Sequence, residues 1–366
     1  MTLKIAQKTL TKKFFLLLIA LVLVNILYQV AANFESNKSS LKKTKLAQKP
    51  NPSLVLKEKH VIADFYYWYD LPNGVHSTSL TDTPKYTATS YKNPDWFYKQ
   101  LTDMKEAGID ILLVVYWSKY EPAYLEGLKN LNTGREMLLK QSKNAPTIGL
   151  FLDTGIFDRM PKEDKNLLSD SGKERFYQII KEFFDNIPKK NWALINGKPV
   201  IWLWGNYFNI YFDQSSFDYI YNRFNEDFGT KPYIVREESW NYPLKKGLFI
   251  PTKYDFTKPI VTDDVYKWGA ELNGFSEAGG NVASVGPGYD ERLLGGTSDR
   301  TDRHADRNGG KWYEDNFQKA INSGKNLINI ETWNEFHEAS DIADSVQYGR
   351  NYINITKTYT TKFLSK

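Results

Sequence analysis

The 366-residue sequence contains no cysteine. That excludes disulfides, thiolate catalysis, cysteine-ligated zinc and a lipid-modified cysteine. No acidic residue occurs among residues 1–32, although Lys4, Lys8, Lys12 and Lys13 do. No Gly-rich turn follows the first β-like segment, which argues against the nucleotide-binding form of a doubly wound sheet. Nothing near His337 completes a two-His metal site, so no metal is expected, and no diphosphate cradle or other cofactor motif is present. A nucleic-acid partner is also not expected. The net charge of +5 comes from the amino terminus, and from Val61 onward 37 basic face 41 acidic residues, about −4.

What the amino terminus does contain is an unbroken apolar run, Phe14–Val24, extended past Asn25 to Tyr28 and ended by Val30-Ala31-Ala32. Four lysines before such a run read as an export signal. Cleavage as a signal peptide and retention as a single-pass anchor both remain open for residues 1–32. In either case the folded part is expected outside the cytoplasm, secreted or membrane-tethered. Residues 33–58, rich in Lys, Ser, Asn and Pro, read as a polar linker. A single domain is expected over 59–366, acting as a monomer.

Within it, short apolar runs rich in β-branched and aromatic residues recur eight times, at 60–69, 109–117, 147–154, 198–205, 231–240, 259–268, 281–289 and 326–334. Continuous apolarity is what strands covered on both faces require. Helical patterns lie between many of them. One has Asn93 as a cap, Pro94 at its first position and Gly108 at its end. Others run through Phe176–Ile187, Phe217–Phe228, Tyr313–Ile321 and Tyr352–Phe363. The fifth and sixth units have weak helices. Eight strands with interleaved helices predict an α/β fold, a single (β/α)8 TIM barrel. An open doubly wound sheet is the alternative.

Barrels of this kind place function at the carboxyl ends of their strands. Those ends carry Tyr66, Tyr67, Trp68 and Tyr69, Tyr116 and Trp117, Asp153, Trp202 and Trp204, Glu237 and Glu238, Asp263 and Asp264, and Tyr289. Aromatic rings stack on sugar faces while carboxylates and hydroxyls bond sugar hydroxyls, so the combination suits an oligosaccharide or polysaccharide. Any one of these rings, taken alone, is as readily explained by core packing. The eighth run supplies the sharpest feature, ETWNEFHE at 331–338. Glu335 and Glu338 stand three apart, which puts two carboxyls on one side of a turn. Two nearby carboxyls keep a proton on one of them near neutrality, and glycosidic cleavage uses such a pair. A solvated acidic turn is the bland alternative. His337 between them reads first as a hydrogen-bonded structural residue. The segment 293–310 reads as a solvated lid, because the spacing of Asp299, Asp302 and Asp306 fits no calcium loop.

Together FYYWY (65–69), DMKEAGIDILLVVYW (103–117), SVGPGYDER (284–292) and TWNEFHEASDI (332–342) resemble the glycoside hydrolase family 99 and 71-like superfamily, which includes endo-α-mannosidases. The resemblance implies a retaining glycosidase for α-linked glycans. It also implies that Glu335 assists the substrate 2-hydroxyl, that Glu338 is acid then base, and that Asn334 orients the substrate. His337, Tyr67, Tyr69, Trp117, Asp153, Trp204, Glu237 and Tyr289 are expected to line the binding cleft. The mannosidases usually have Gly-Thr where this chain has Ala339 and Ser340. A glycosyltransferase-like protein of surface-glycan synthesis and a non-catalytic carbohydrate-binding barrel are the competing expectations.

Overall fold

All eight apolar runs form parallel strands in the computed structural model, which describes Leu56 and residues 58–142, 144–206, 210–241, 258–294 and 303–366. They are β1 (His60–Phe65), β2 (Ile111–Tyr116), β3 (Thr147–Leu152), β4 (Lys198–Leu203), β5 (Tyr233–Glu237), β6 (Asp264–Tyr266), β7 (Val282–Val285) and β8 (Leu327–Ile330). Hydrogen-bonded neighbours run β6-β5-β4-β3-β2-β1-β8-β7. Ile62 of β1, for example, pairs with Ile111 on one side and Asn329 on the other. A short antiparallel strand, Phe275–Glu277, lies along β7. The sheet is thus a nearly closed barrel, as the α/β pattern predicts.

Between β6 and β7 side chains close the seam. The Asp264 carboxylate accepts bonds from Asn281 N (2.8 Å), Asn281 Nδ2 (3.1 Å), Val265 N (2.9 Å) and the Tyr233 hydroxyl (2.9 Å). The chain can come this close only because residue 280 is glycine. A Cβ there would stand 1.9 Å from Asp264 Oδ1 and 2.5 Å from Val265 O. Asp263 and Asp264 therefore sit at the beginning of β6 and not, as its sequence suggests, at its carboxyl end. Asp263 binds Lys198 (2.8 Å) and Tyr221 (2.6 Å).

Helices cover the outside. The first, α1 (Pro94–Ala107), has the expected caps, since the Asn93 side chain accepts from Asp95 N (3.0 Å) and Gly108 takes φ 81°. The second, α2 (Tyr124–Gln141), has no clear apolar stripe. Its buried positions include Gly127, Gly134 and Arg135, and the glycines are there because a Cβ at Gly127 would meet the Tyr67 ring at 2.6 Å. Next come α3 (Asp170–Asn186) and α4 (Gln214–Phe228), the latter with a capping box from Asp213 and Ser216. Among the described residues, β5 leads into a 3₁₀ turn (Glu238–Trp240), and β6 into the four-residue α5 (Ala270–Asn273). The last two helices are α6 (Lys311–Asn322) and α7 (Asn351–Leu364).

Strand alternation sorts the side chains. Phe65 points outward onto Trp96 and Phe97 (centroids 6.5 and 6.2 Å), and Tyr116 outward onto Phe183 (5.3 Å). The phase that includes Asp64, Phe151, Trp202, Ser284 and Asn329 points into the barrel, where Trp202 packs on Tyr266 at 5.0 Å. Among the described residues no helix is long and apolar enough to cross a membrane. Residues 1–32, all but the end of the 33–58 linker, and Asp299 and Asp302 of the expected lid lie outside the described residues.

The seam yields a stability test. Gly280→Ala is expected to lower unfolding free energy by about 1–3 kcal/mol through overpacking. Gly279→Ala, with nothing within 4 Å of its new Cβ, is expected to stay within about 0.5 kcal/mol. Thermal unfolding of the two variants checks the difference.

Candidate active site

Strand β8 ends at Ile330, and the chain then turns tightly through residues 331–341 over the carboxyl end of the barrel. Each carbonyl from Phe336 to Asp341 accepts a bond. The donors are Thr81 N and Asp82 N to Phe336 O (3.0 Å each), the Thr81 hydroxyl to His337 O (2.7 Å) and Asp290 N to Glu338 O (2.7 Å). Thr332 N donates to Ser340 O (3.0 Å), and Arg307 donates to Ala339 O (2.7 Å) and Asp341 O (2.8 Å). Arg307 is buried, paired with Asp82 (3.0 Å) and Asp341 (3.1 Å), and stacked on Tyr348 and Tyr352. Ala339 is held at φ 46°, the left-handed region that glycine prefers. The Ala-for-Gly difference noted in the sequence therefore falls where Arg307 fastens the loop.

Asn334 anchors the start of this turn. Its Oδ1 accepts from Tyr66 N (2.7 Å) and its Nδ2 donates to Tyr66 O (2.8 Å) and Gln100 Oε1 (3.2 Å). The side chain is fully buried, so its carboxamide is spent on the end of β1 instead of facing a ligand. Glu335 is also buried, and its Oε1 accepts from the Tyr69 hydroxyl (3.1 Å), His337 N (3.0 Å) and His337 Nδ1 (2.9 Å). Of the two carboxyls, Glu338 is the more exposed. Burial pushes its carboxyl well above the usual carboxylate range; the charges of Glu335, Glu271 and Glu291 add to this, and a hydrogen bond with Tyr289 opposes it. Tyr289 itself donates to Glu291 Oε2 (2.8 Å).

Other sequence-selected residues divide into two groups. Tyr69, His337 and Tyr289 gather around the two glutamates. Trp117 Nε1 donates to Asp153 Oδ2 (2.8 Å), and burial raises that carboxyl to about 6. Trp204 lies edge-on to Trp268 (6.3 Å), which meets Phe151 at 5.7 Å, forming an aromatic band along one wall. Glu237 is buried with Oε2 on Ser239 N (2.7 Å), and burial raises its pKa. Tyr67, by contrast, belongs to the outward phase of β1 and packs on α2 at Gly127. Its neighbour Tyr66 faces the carboxyls: after burial, the charges of Glu335, Glu338, Asp64 and Asp153 raise its phenol well above the ordinary value. Asp64 at the inner position of β1 carried that phase in the sequence.

Sequence reasoning also passed over His76, Trp268, Glu271, Glu291 and Glu331. His76 stacks on Trp68 (4.8 Å), approaches His337 (5.7 Å) and pairs with buried Glu121 (3.1 Å). The two glycines of VGPGY have separate tasks. A Cβ on Gly286 would collide with the Glu271 backbone at 2.2 Å, and one on Gly288 with Arg307 Cγ at 2.5 Å. Among the described residues no three His, Asp or Glu side chains are placed to hold a metal.

Residues 64–366 match the family model described as a domain of unknown function, DUF5010. The chain belongs to the DUF5010 family. No curated protein sequence matches it. In three dimensions this DUF5010 barrel is similar to the GH99 endo-α-mannosidase from Bacteroides thetaiotaomicron in complex with bis-tris-propane. The TM-score is 0.62 at 17% identity, over 84% of this chain and 97% of that one. Another structure of the GH99 endo-α-mannosidase from that organism gives 0.59 at 16% identity, covering 84% and 98%. A protein titled glycoside hydrolase-like gives 0.60 at 15% identity, covering 87% and 98%. The DUF5010 chain is therefore a glycoside hydrolase-like barrel by fold.

If Asn334 is an anchor, Asn334→Ala strands both polar groups of the Tyr66 backbone. It is expected to lower stability by at least about 2 kcal/mol, measured by urea denaturation.

Proposed function

We propose that this protein is an exported retaining glycosidase acting on α-linked glycans, with Glu338 as acid then base and Glu335 as the base for the substrate 2-hydroxyl. The observation that carries the reading is the unequal pair at the end of β8. Glu335 is locked by Tyr69 and His337, whereas the more exposed Glu338 has its carboxyl pushed well above the usual carboxylate range by burial and by the neighbouring charge of Glu335.

All three bonds to Glu335 fall on Oε1, which leaves Oε2 to take a proton from a substrate hydroxyl. In the first step Glu335 removes the 2-hydroxyl proton, the resulting oxygen attacks the anomeric carbon, and Glu338 gives its proton to the departing glycosidic oxygen. In the second, Glu338 takes a proton from water, the hydroxide opens the anhydrosugar at the anomeric carbon, and Glu335 returns its proton to the 2-oxygen. Two displacements retain configuration without a covalent glycosyl-enzyme, unlike the usual carboxylate nucleophile. Tyr66, Trp117, Trp204 and Trp268 offer ring faces for the sugars. An outward-facing location rests on the sequence of residues 1–32.

Glu338→Gln is expected to reduce kcat/KM on a cleaved α-glycan by about 10²–10⁴-fold, read by product formation on purified residues 33–366. Full activity in that variant overturns the assignment. The same substitution has a second, opposite effect. A carboxyl whose folded pKa lies above its ordinary 4.5 binds more protons folded than unfolded, so it costs stability progressively as pH rises above that value. Glu338→Gln is accordingly expected to raise the thermal midpoint at pH 7, with the gain vanishing near pH 4.5 and below.

A further inference from the structure

Beside His337 stands an imidazole that the proposed chemistry does not use. The loop after β1 folds back on itself, with Gly74 N on Asp70 O (2.8 Å) and Asp70 N on Val75 O (3.0 Å), and it presents His76 at φ 55°. Few residues with a side chain take that left-handed backbone, and it persists where surrounding contacts over-determine it. Here the ring stacks on buried Trp68 (4.8 Å) and stands edge-on to Tyr69 (6.3 Å) and His337 (5.7 Å), while Nε2 lies 3.1 Å from Glu121 Oε2. Glu121 is 5% exposed, and its other oxygen accepts from Ala123 N (3.4 Å) just before α2. Further along the same loop Thr81 N and Asp82 N bond Phe336 O, which registers the loop on the turn that carries Glu335.

These contacts fix the ring and leave it one nitrogen to use. Facing a carboxylate, which only accepts, Nε2 carries the hydrogen and Nδ1 keeps its lone pair. Among the described residues Nδ1 has no partner, and the side chain is 32% exposed. His337 spends its own Nδ1 on Glu335 Oε1 (2.9 Å), so His76 stands one imidazole beyond the carboxyl that takes the 2-hydroxyl proton. We propose that His76 is a substrate-binding residue whose Nδ1 accepts a hydrogen bond from a sugar hydroxyl near the one Glu335 deprotonates, with Glu121 as the positioning residue that sets its rotation and tautomer. This rests on the glycosidase reading and narrows it. An acceptor at that place takes an unsubstituted hydroxyl and turns away an etherified or anionic position, so the substrate class is a neutral, unsubstituted glycan.

The test is ¹⁵N-histidine NMR of the intact chain, which has four histidines, with His76→Gln to assign the His76 signals. The Nε2–H tautomer is expected for His76 without ligand. A carboxamide donates as well as accepts, so Glu121→Gln is expected to show both tautomers. When an α-linked mannose-containing glycan is added to Glu338→Gln, which holds it uncleaved, the His76 Nδ1 resonance is expected to shift together with the His337 signals. In steady-state kinetics His76→Gln, which keeps a polar group at the Nε2 place alone, is expected to raise KM about tenfold with kcat within about twofold. His76→Asn, whose amide falls at the place of Nδ1, is expected to recover most of that loss. An Nδ1–H tautomer, one unchanged tautomer in Glu121→Gln, equal losses in the two His76 variants, or a His76 signal that stays put while His337 responds overturns the proposal. If neither histidine responds and no glycan is cleaved, the glycosidase reading falls and this contact with it, a pattern told apart from the others by the silent His337.

Discussion

A single carboxamide ties the exits of two neighbouring strands, β8 and β1, together at the place where chemistry is expected. Asn334 closes both its hydrogen-bonding groups onto the Tyr66 backbone, and this fixes where the chain leaves β8 relative to where it leaves β1. Everything in the cleft is measured from that clamp. Tyr66 is turned toward the carboxyls, Tyr69 reaches Glu335, and the loops after β1 and β7 supply donors to five of the six carbonyls from Phe336 to Asp341, the sixth, Ser340 O, being bonded by Thr332 N of the same turn. A turn so fully bonded can hold two carboxyls near each other against their repulsion, because moving either one breaks several bonds at once.

Charge is the price of this arrangement. Asp64, Glu271, Glu331, Glu335 and Glu338 all lie at or under the cleft, and Arg303 and Arg307 are tied to acidic partners of their own. Low dielectric makes full ionisation of such a set untenable, so protons must be shared out among them. The two members of the pair differ accordingly: Glu335 is locked by donors from Tyr69 and His337, and burial with the neighbouring charges pushes the Glu338 carboxyl well above the usual carboxylate range.

Most of the fold was legible because burial on both faces leaves a simple signature. All eight apolar runs became barrel strands. Helix α2 escaped because glycines and an arginine (Gly127, Gly134 and Arg135) share its buried face with Leu128, Leu131 and Leu138, which interrupts the apolar period that would have revealed it. Asp263 and Asp264 were placed at the wrong end of β6, since a three-residue strand leaves no pattern from which to read its limits. In the site, TWNEFHE stood out by spacing alone, whereas the choice of Tyr67 over Tyr66 ignored the two-residue alternation that Asp64 marks. Asn334 and Glu331 were opaque for a different reason. Whether a polar side chain faces a ligand or a neighbouring backbone is decided by residues far off in sequence, here the Tyr66 backbone for Asn334 and the Gly269 and Ala270 amides, which donate to Glu331 Oε2, for Glu331.

The central claim is that two unequal carboxyls work in one cleft through a substrate hydroxyl, and the anomeric outcome reports on it most directly. The purified domain is given an α-linked mannose-containing glycan and the first-formed reducing end is followed by ¹H NMR before mutarotation. The account predicts the α-anomer as the initial product; a β-anomer formed first would contradict it.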